Sequence, residues 1–200
     1  MPITTLDALL NIYGQPSERA RDKQIDHLDA HCRRFIALSP FLIMATSEGP
    51  RLDASPKGDE PGFVIVEDEH HLLIPDWPGN RRIDGMRNLI RDPAIGLIFM
   101  IPNVEETLRV NGHATIHDDA PLLARFDRGG RRPLTVIRVR CHEAFLHCAK
   151  AFMRSKLWQP QSWPAREALP SMAQMLKDHA ELADLPDEAQ MRTLLRDTLY

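Results

Sequence analysis

The chain has 200 residues, 43% of them hydrophobic and 26% charged, with a formal net charge of −3. These values exclude wholesale disorder and general nucleic-acid binding, which needs a basic face. No apolar stretch approaches the roughly 20 residues that span a bilayer. The opening MPITTLDALLNIYG lacks the basic start, apolar run and cleavage site of a secretion signal. Cys32, Cys141 and Cys148 form no CxxC pair, which suits a reducing compartment, so a cytoplasmic location is expected. With 16 Pro against 10 Gly, many turns are set by a fixed φ rather than by a permissive backbone.

In chain order, residues 3–38 read as helical. Leu6, Leu9 and Leu10 share one face, and Ile25, Leu28, Phe35 and Ile36 roughly share another. Ser17 or Asp22 is the expected cap of the second helix, and Ser39-Pro40 ends the region. Residues 41–46 then form a short apolar run that stops at Glu48-Gly49-Pro50. The runs 63–66 and 72–74 flank Glu67-Asp68-Glu69-His70 and predict a hairpin with an acidic tip, its second strand stopping at Pro75. Residues 81–91 are spaced as a helix, with Ile83, Met86 and Ile90 on one face. Residues 94–101 are a fully apolar strand. Residues 106–117 alternate around a Gly, as in a bent or bulged strand. A short helix over 120–126 precedes the cleanly alternating strand 134–141. The tail returns to helix at about 146–156, 169–183 and 187–199.

About six strands joined mostly by tight turns imply an antiparallel barrel or sandwich, not a βαβ fold. The expected organisation is an N-terminal helical extension (1–38), a β domain (39–160) and a helical tail (161–200) packed on the barrel or on a partner.

Four segments carry candidate chemistry. In Ile74-Pro75-Asp76-Trp77-Pro78-Gly79-Asn80-Arg81-Arg82, Asn80 is placed to cap a helix whose first turn holds two arginines. The helix dipole is positive there, and a bound anion would remove the conflict. The alternative is two solvated arginines paired with Asp76 and Asp84. Asp53-Ala54-Ser55-Pro56-Lys57 is either a ligand-approaching segment between strands or a plain polar turn. Arg109 alternates with Leu108 and Val110, and it faces a ligand, faces solvent or pairs with Glu106. A helix over 146–156 would align His147, Lys150 and Arg154 on one cationic or polar face, with Trp158 just beyond. Cys141-His142-Glu143 with His147 and Cys148 lacks the HExxH spacing of a zinc helix, so no metal is expected. GxSxG, P-loop and GxGxxG motifs are absent.

The segments DASPKGD, PGFVIV, LLIPDWPGNRRIDGMRNLIRDPAIGLIFMIP, ETLRVNGHATI and HCAKAFMRSKLW occur in this order. Together they resemble the FMN-binding split-barrel flavoproteins related to pyridoxamine 5′-phosphate oxidase, over about residues 39–160. The resemblance implies an α+β, mainly β fold: a six-stranded antiparallel Greek-key split barrel with flanking helices. It implies a homodimer with FMN at the subunit interface, no nucleic acid and no membrane. The family's phosphate-binding basic pair falls on Arg81 and Arg82, beside Asn80. Its flavin-edge backbone contacts fall on Asp53, Ala54, Ser55 and Pro56, next to Lys57. Its ring-side residues fall on Ile74 and Pro75, and its polar strand contact falls on Arg109. The second subunit's contribution falls on His147, Lys150, Arg154, Ser155 and Trp158. The Arg-x-His-like C-terminal segment of the true oxidase is not found, and the tail 169–200 stands in its place. The resemblance therefore extends to FMN binding and not to vitamin B6 oxidation.

The expected function is that of an FMN-dependent oxidoreductase acting on a small molecule. The flavin supplies the chemistry, and no side chain is assigned as general acid or base, with His147 and His113 the remaining candidates. An FMN carrier or redox sensor is the alternative, followed by a haem or deazaflavin split barrel, with His147 and Cys148 as the available haem ligands.

Overall fold

The computed structural model describes residues 1–180 and 186–199. The N-terminal region is three short helices, α1 (Leu6–Tyr13), α2 (Glu18–Asp22) and α3 (Ala30–Leu38). Ser17 caps α2 by accepting from the Ala20 amide, and Asp29 caps α3 by accepting from Cys32 at 2.7 Å. Ile25 lies outside any helix and exchanges backbone hydrogen bonds with Ala144. Ser39 is extended before Pro40, as the proline requires.

The strands are β1 (Phe41–Glu48), β2 (Arg51–Gly58), β3 (Ile65–Val66), β4 (His71–Asp76), β5 (Ala94–Met100), β6 (Thr107–His117) and β7 (Thr135–His147). They form one antiparallel sheet of 7 strands in the order β2-β1-β5-β6-β7-β4-β3. The helices α4 (Asp84–Arg91), α5 (Ala120–Ala124), α6 (Lys150–Ser155), α7 (Met172–Ala180) and α8 (Glu188–Asp197) flank it. The expected split barrel is present, with one strand more than the hydrophobic runs indicate. The extra strand is β2, whose sequence RLDASPKG has no apolar run. It pairs along its whole length with β1, so its partner supplies what its own pattern lacks.

Several boundaries shift for identifiable reasons. Strand β4 runs through Pro75, because Pro75 pairs with Val136 where β4 has no second neighbour: β3 reaches only Leu72 and Leu73. A proline is tolerated where its missing N–H faces a free edge. Helix α4 starts at Asp84, not at 81. Arg81 (φ 60°) and Ile83 (φ 45°) are in the left-handed region, which ends helical geometry on the upstream side. Strand β7 continues to His147, because Thr107 and Leu108 of β6 keep pairing with it. The expected helix over 146–156 therefore shrinks to α6. Of the expected 169–183 helix, residues 172–180 are helical, and 181–183 lie outside the described residues.

Alternation divides the strands into two faces. Leu42, Met44, Leu97, Phe99, Leu108, Val110, Val139 and Ala144 point inward and are buried, with Leu28, Cys32 and Ile36 of the α3 segment closing the core. The helical segment next to the barrel is thus part of its core. Leu73 and Val136 bury the opposite face beneath Phe126, Leu122 and Leu123. This explains the unbroken apolar run 72–74: both faces of β4 are covered. On the outer face, Pro56, Ile43, Ile98, Arg109 and Phe145 form one row across β2-β1-β5-β6-β7. Ala54, Ala45, Gly96, Asn111 and Glu143 form the next.

The bend expected in 106–117 is a bulge. Asn111 opposes Glu143 and Gly112 opposes Cys141, leaving His142 as the extra residue. A Cβ on Gly112 would lie 1.9 Å from the Arg140 carbonyl oxygen, so only glycine fits there. Gly112→Ala is expected to destabilise the protein by about 3 kcal/mol and to lower Tm by roughly 6–12 °C in thermal unfolding; an unchanged Tm refutes the packing assigned to the bulge.

Burial also separates the thiols. It pushes the Cys32 thiol up to about 12 and the Cys141 thiol up to about 11, whereas Cys148 is exposed. At pH 8 a maleimide should label Cys148 rapidly and label Cys32 and Cys141 only on unfolding, as peptide mass spectrometry will report.

Candidate functional site

The sheet curls until its two ends approach. At one end β2 is a free edge; near the other, β4 is free beyond Leu73. No backbone ladder joins them. Lys57 of β2 instead forms an ion pair with Asp76 of β4, with side chains only 22% and 16% exposed. Between β2, the segment after β4 and the start of α4 lies a cavity of about 700 Å³. It is lined by Asp53, Ala54, Ser55, Pro56 and Lys57 on one side and by Asn80, Arg81 and Arg82 on the other. Met44, Met86 and Leu134 add apolar surface. Eight of the residues singled out from the sequence therefore meet in one cleft.

The β2 side presents backbone. Pro56 has no N–H, so its backbone must face away from β1, and Ala54, two residues earlier, faces the same way. Ala54 thus offers a donor and an acceptor at the free edge, and Pro56 offers an acceptor. The side chains of Asp53 and Ser55 hydrogen-bond to each other. The Asp53 carboxylate also abuts α4, since a Cβ on Gly85 would lie 2.8 Å from Asp53 Oδ2.

The α4 side presents positive charge. Asn80 does not cap the helix; its Oδ1 accepts from the Arg82 amide at 3.0 Å and tightens the preceding loop. Ile83 occupies the cap position with no side-chain hydrogen bond, so the first-turn amides of α4 have no side-chain partner. Arg82 pairs with Asp84, whose carboxylate holds the guanidinium in its charged form. Arg81 is exposed and has no hydrogen bond or ion pair among the described residues. The two arginines are not in the first turn of the helix, as the sequence reading had them. They lie in a loop with two left-handed residues just before it, where such strain is commonly held by a functional constraint. The pairing expected with Asp76 does not occur, because Asp76 is held by Lys57.

Other singled-out residues lie elsewhere. Ile74 is fully buried in the core. Pro75 borders a smaller cavity of about 200 Å³ with Lys57, Phe63, Trp77 and Leu199. Arg109 is on the outer face of β6, three strands or roughly 14 Å along the sheet from β2. His147 ends β7, half-buried, opposite Thr107. It therefore does not share a helix face with Lys150 and Arg154, which remain together on the exposed face of α6. Ser155 Oγ donates to the Phe152 carbonyl at 3.2 Å. Trp158 stacks on Phe152 and donates from Nε1 to the Val104 carbonyl at 2.9 Å, which pins the segment after α6 to the β5–β6 turn. Among the described residues no group of three or more His, Cys, Asp or Glu side chains is placed to hold a metal ion. No described helix is long and apolar enough to cross a membrane.

Trp77, Asp76, Gly85 and Met86 line the cleft and were not singled out. Trp77 and Asp76 lie inside the motif already read, so proximity in sequence was an available signal. Met86 was read as one member of an apolar helix face, and that reading does not distinguish a core position from a cleft wall.

A second, shallower hollow of about 490 Å³ lies on the outer face over Ala45, Gly96, Asn111, Gly112, His142 and Glu143. Its floor is small side chains, and Leu52 at its rim is 83% exposed.

No curated protein matches the chain. Among solved structures, HupZ of Group A Streptococcus is 15% identical, with a TM-score of 0.47, over 59% of this chain and 92% of that one. General Stress Protein 26 of Bacillus anthracis is 12% identical, with a TM-score of 0.45, over 58% and 93%. The FAD binding protein of Mycobacterium smegmatis is 16% identical, with a TM-score of 0.43, over 62% and 97%. The family model described as Pyridoxamine 5′-phosphate oxidase matches residues 28–148, a span that begins in the α3 segment and ends just after β7. With more than half of its length matched, and all seven strands inside the match, the chain belongs to the pyridoxamine 5′-phosphate oxidase family.

Proposed function

We propose that this protein binds FMN in the cleft between β2 and α4 and acts as a homodimeric, FMN-dependent oxidoreductase on a small molecule. The observation that carries the reading is the pairing of two unlike walls in one cavity. One wall is a free strand edge with unsatisfied backbone groups; the other is an uncapped helix start with Arg81 and Arg82 beside it. A flavin mononucleotide has the same division: a planar ring with hydrogen-bonding edges and a doubly charged phosphate. The volume of about 700 Å³ is in the range of small-molecule sites.

Each group has a physical task in this reading. Arg81, Arg82 and the first-turn amides of α4 hold the phosphate. Ala54 and Pro56 present backbone to the ring edge, and the prolines hold that edge at little entropic cost. Met44, Met86 and Leu134 exclude water from the ring. Lys57 contributes no net charge to the ligand, because Asp76 neutralises it; its task is to hold the two edges of the cleft at a set separation. Bound FMN supplies hydride transfer and reoxidation, which no side chain here can perform.

The outer face supports the dimer. Leu52 and Phe41 are exposed around the flat floor of Ala45 and Gly96, an apolar surface of the kind that marks an interface. Lys150, Arg154 and Ser155 on α6 are exposed and free to reach a partner's cleft.

Titration of the purified protein with FMN, followed by visible absorbance and flavin fluorescence, tests the reading; no binding at micromolar FMN overturns it. Arg81→Ala with Arg82→Ala should weaken FMN by roughly 10–100-fold and riboflavin little. Equal losses for both would place the phosphate elsewhere. NADH or NADPH reduction of the bound flavin, with reoxidation followed in air, separates an enzyme from a flavin carrier. Light scattering should give the mass of two chains, and Leu52→Glu should shift it toward one. A monomer that keeps full FMN affinity contradicts the shared site.

A further inference from the structure

The groove between β2 and α4 does not end at Arg82. Beyond it lies another cavity of about 340 Å³, which shares Asp53, Arg82 and Asp84 with the cleft. The periodicities of the two elements build it. Alternation puts Arg51 on the same face of β2 as Asp53, Ser55 and Lys57. Helical spacing puts Arg87 and Asn88 on the same face of α4 as Asp84. The shared residues mark the boundary: Arg82 pairs with Asp84 there, and the Asp53 carboxylate lies against Gly85.

This cavity has positive charge left over. Of its carboxylates, Glu48 is taken by Arg91 and Asp84 by Arg82, while Asp53 accepts from Ser55 at the boundary. Arg51 and Arg87 line the cavity and form no ion pair with a described residue. Asn88 is only 6% exposed and also lines it. Its Nδ2 donates to Thr46 Oγ1 at 3.2 Å, and its Oδ1 has no hydrogen-bond partner among the described residues. The cavity thus offers two guanidinium groups to an anion and one acceptor to an N–H or O–H. Ala54, Pro56, Met44, Met86 and Leu134, the residues assigned to the ring, line the cleft and not this cavity. A group held here is therefore on the far side of the phosphate from the ring.

We propose that Arg51, Arg87 and Asn88 form a subsite for the nucleotide extension of a flavin dinucleotide, so that the groove takes FAD as well as FMN. This rests on the flavin reading of the cleft and extends it. The second phosphate accepts from Arg51 and Arg87, and a hydroxyl or amino group of the nucleoside donates to Asn88 Oδ1. Arg82 stands between the two phosphates, where the several donors of one guanidinium can serve both.

Parallel titrations of the full chain with FMN and with FAD, followed by flavin fluorescence, test it. The unaltered protein should bind FAD at least as tightly as FMN. Arg51→Gln with Arg87→Gln should weaken FAD by about tenfold or more and leave FMN within about twofold. Both positions are exposed, and retained FMN binding reports that the variant is folded. If FAD binds the unaltered protein more weakly than FMN does, the proposal is overturned and the FMN reading stands. It is overturned equally if the paired substitution weakens both flavins alike or weakens neither. If neither flavin binds the unaltered protein, the flavin reading falls and this subsite falls with it.

Discussion

The two ends of this sheet meet without a backbone ladder, and the Lys57–Asp76 ion pair is what joins them. Neither edge can be zipped to the other, because each carries a proline at the point of approach: Pro56 in β2 and Pro75 in β4. Prolines at an edge also block pairing with foreign strands. The result is a barrel held closed at one point and open beside it. The cleft is that opening. Its width depends on the ion pair, its floor on core residues such as Met44, and its far wall on α4, which packs so closely that a Cβ at position 85 would lie 2.8 Å from Asp53 Oδ2. With both partners largely shielded from water, the pair contributes more than a surface bridge would, and removal of one partner would leave the other poorly compensated.

The second constraint is the bulge. Strand β7 has 13 residues and serves β4 with its first half and the Ile25 segment with its second. A regular strand of that length would carry its twist past both partners. The extra residue His142 re-aims the strand, and Gly112 allows the Arg140 carbonyl to come close. Downstream of the bulge, Phe145 sits opposite Arg109 and His147 opposite Thr107.

Local charge, not net charge, organises the surface. A formal charge of −3 conceals two separate basic groups, one at Arg81 and Arg82 and one at Lys23 and Arg109. Several other arginines are absorbed by carboxylates: Arg138 and Arg125 by Glu67, Arg91 by Glu48, Arg128 by Asp59. The total does not report where such charges gather.

By itself the sequence determined the periodicities, and these are local. Alternation over 134–141 and 106–117, the apolar run 94–101 and the turn chemistry of Glu48-Gly49-Pro50 made an antiparallel β fold legible. The joint order of five motifs pointed to the family, and the gathering of Asn80, Arg81 and Arg82 beside a helix start was readable from the sequence. What depends on partners distant in sequence was decided only by the tertiary structure. Strand β2 has no hydrophobic signature and exists because β1 offers it a ladder. The reach of β4 through Pro75 depends on which of its edges is free. Lys57 looked available to a ligand until the fold brought Asp76 to it from 19 residues away. Lys23, in a segment with no assigned role, meets Arg109 and Phe145 through a pairing across more than a hundred residues, as its hydrogen bond to Leu146 over 123 positions shows. Periodicity reports which face of an element is apolar, whereas only the closed fold determines which charges that element meets.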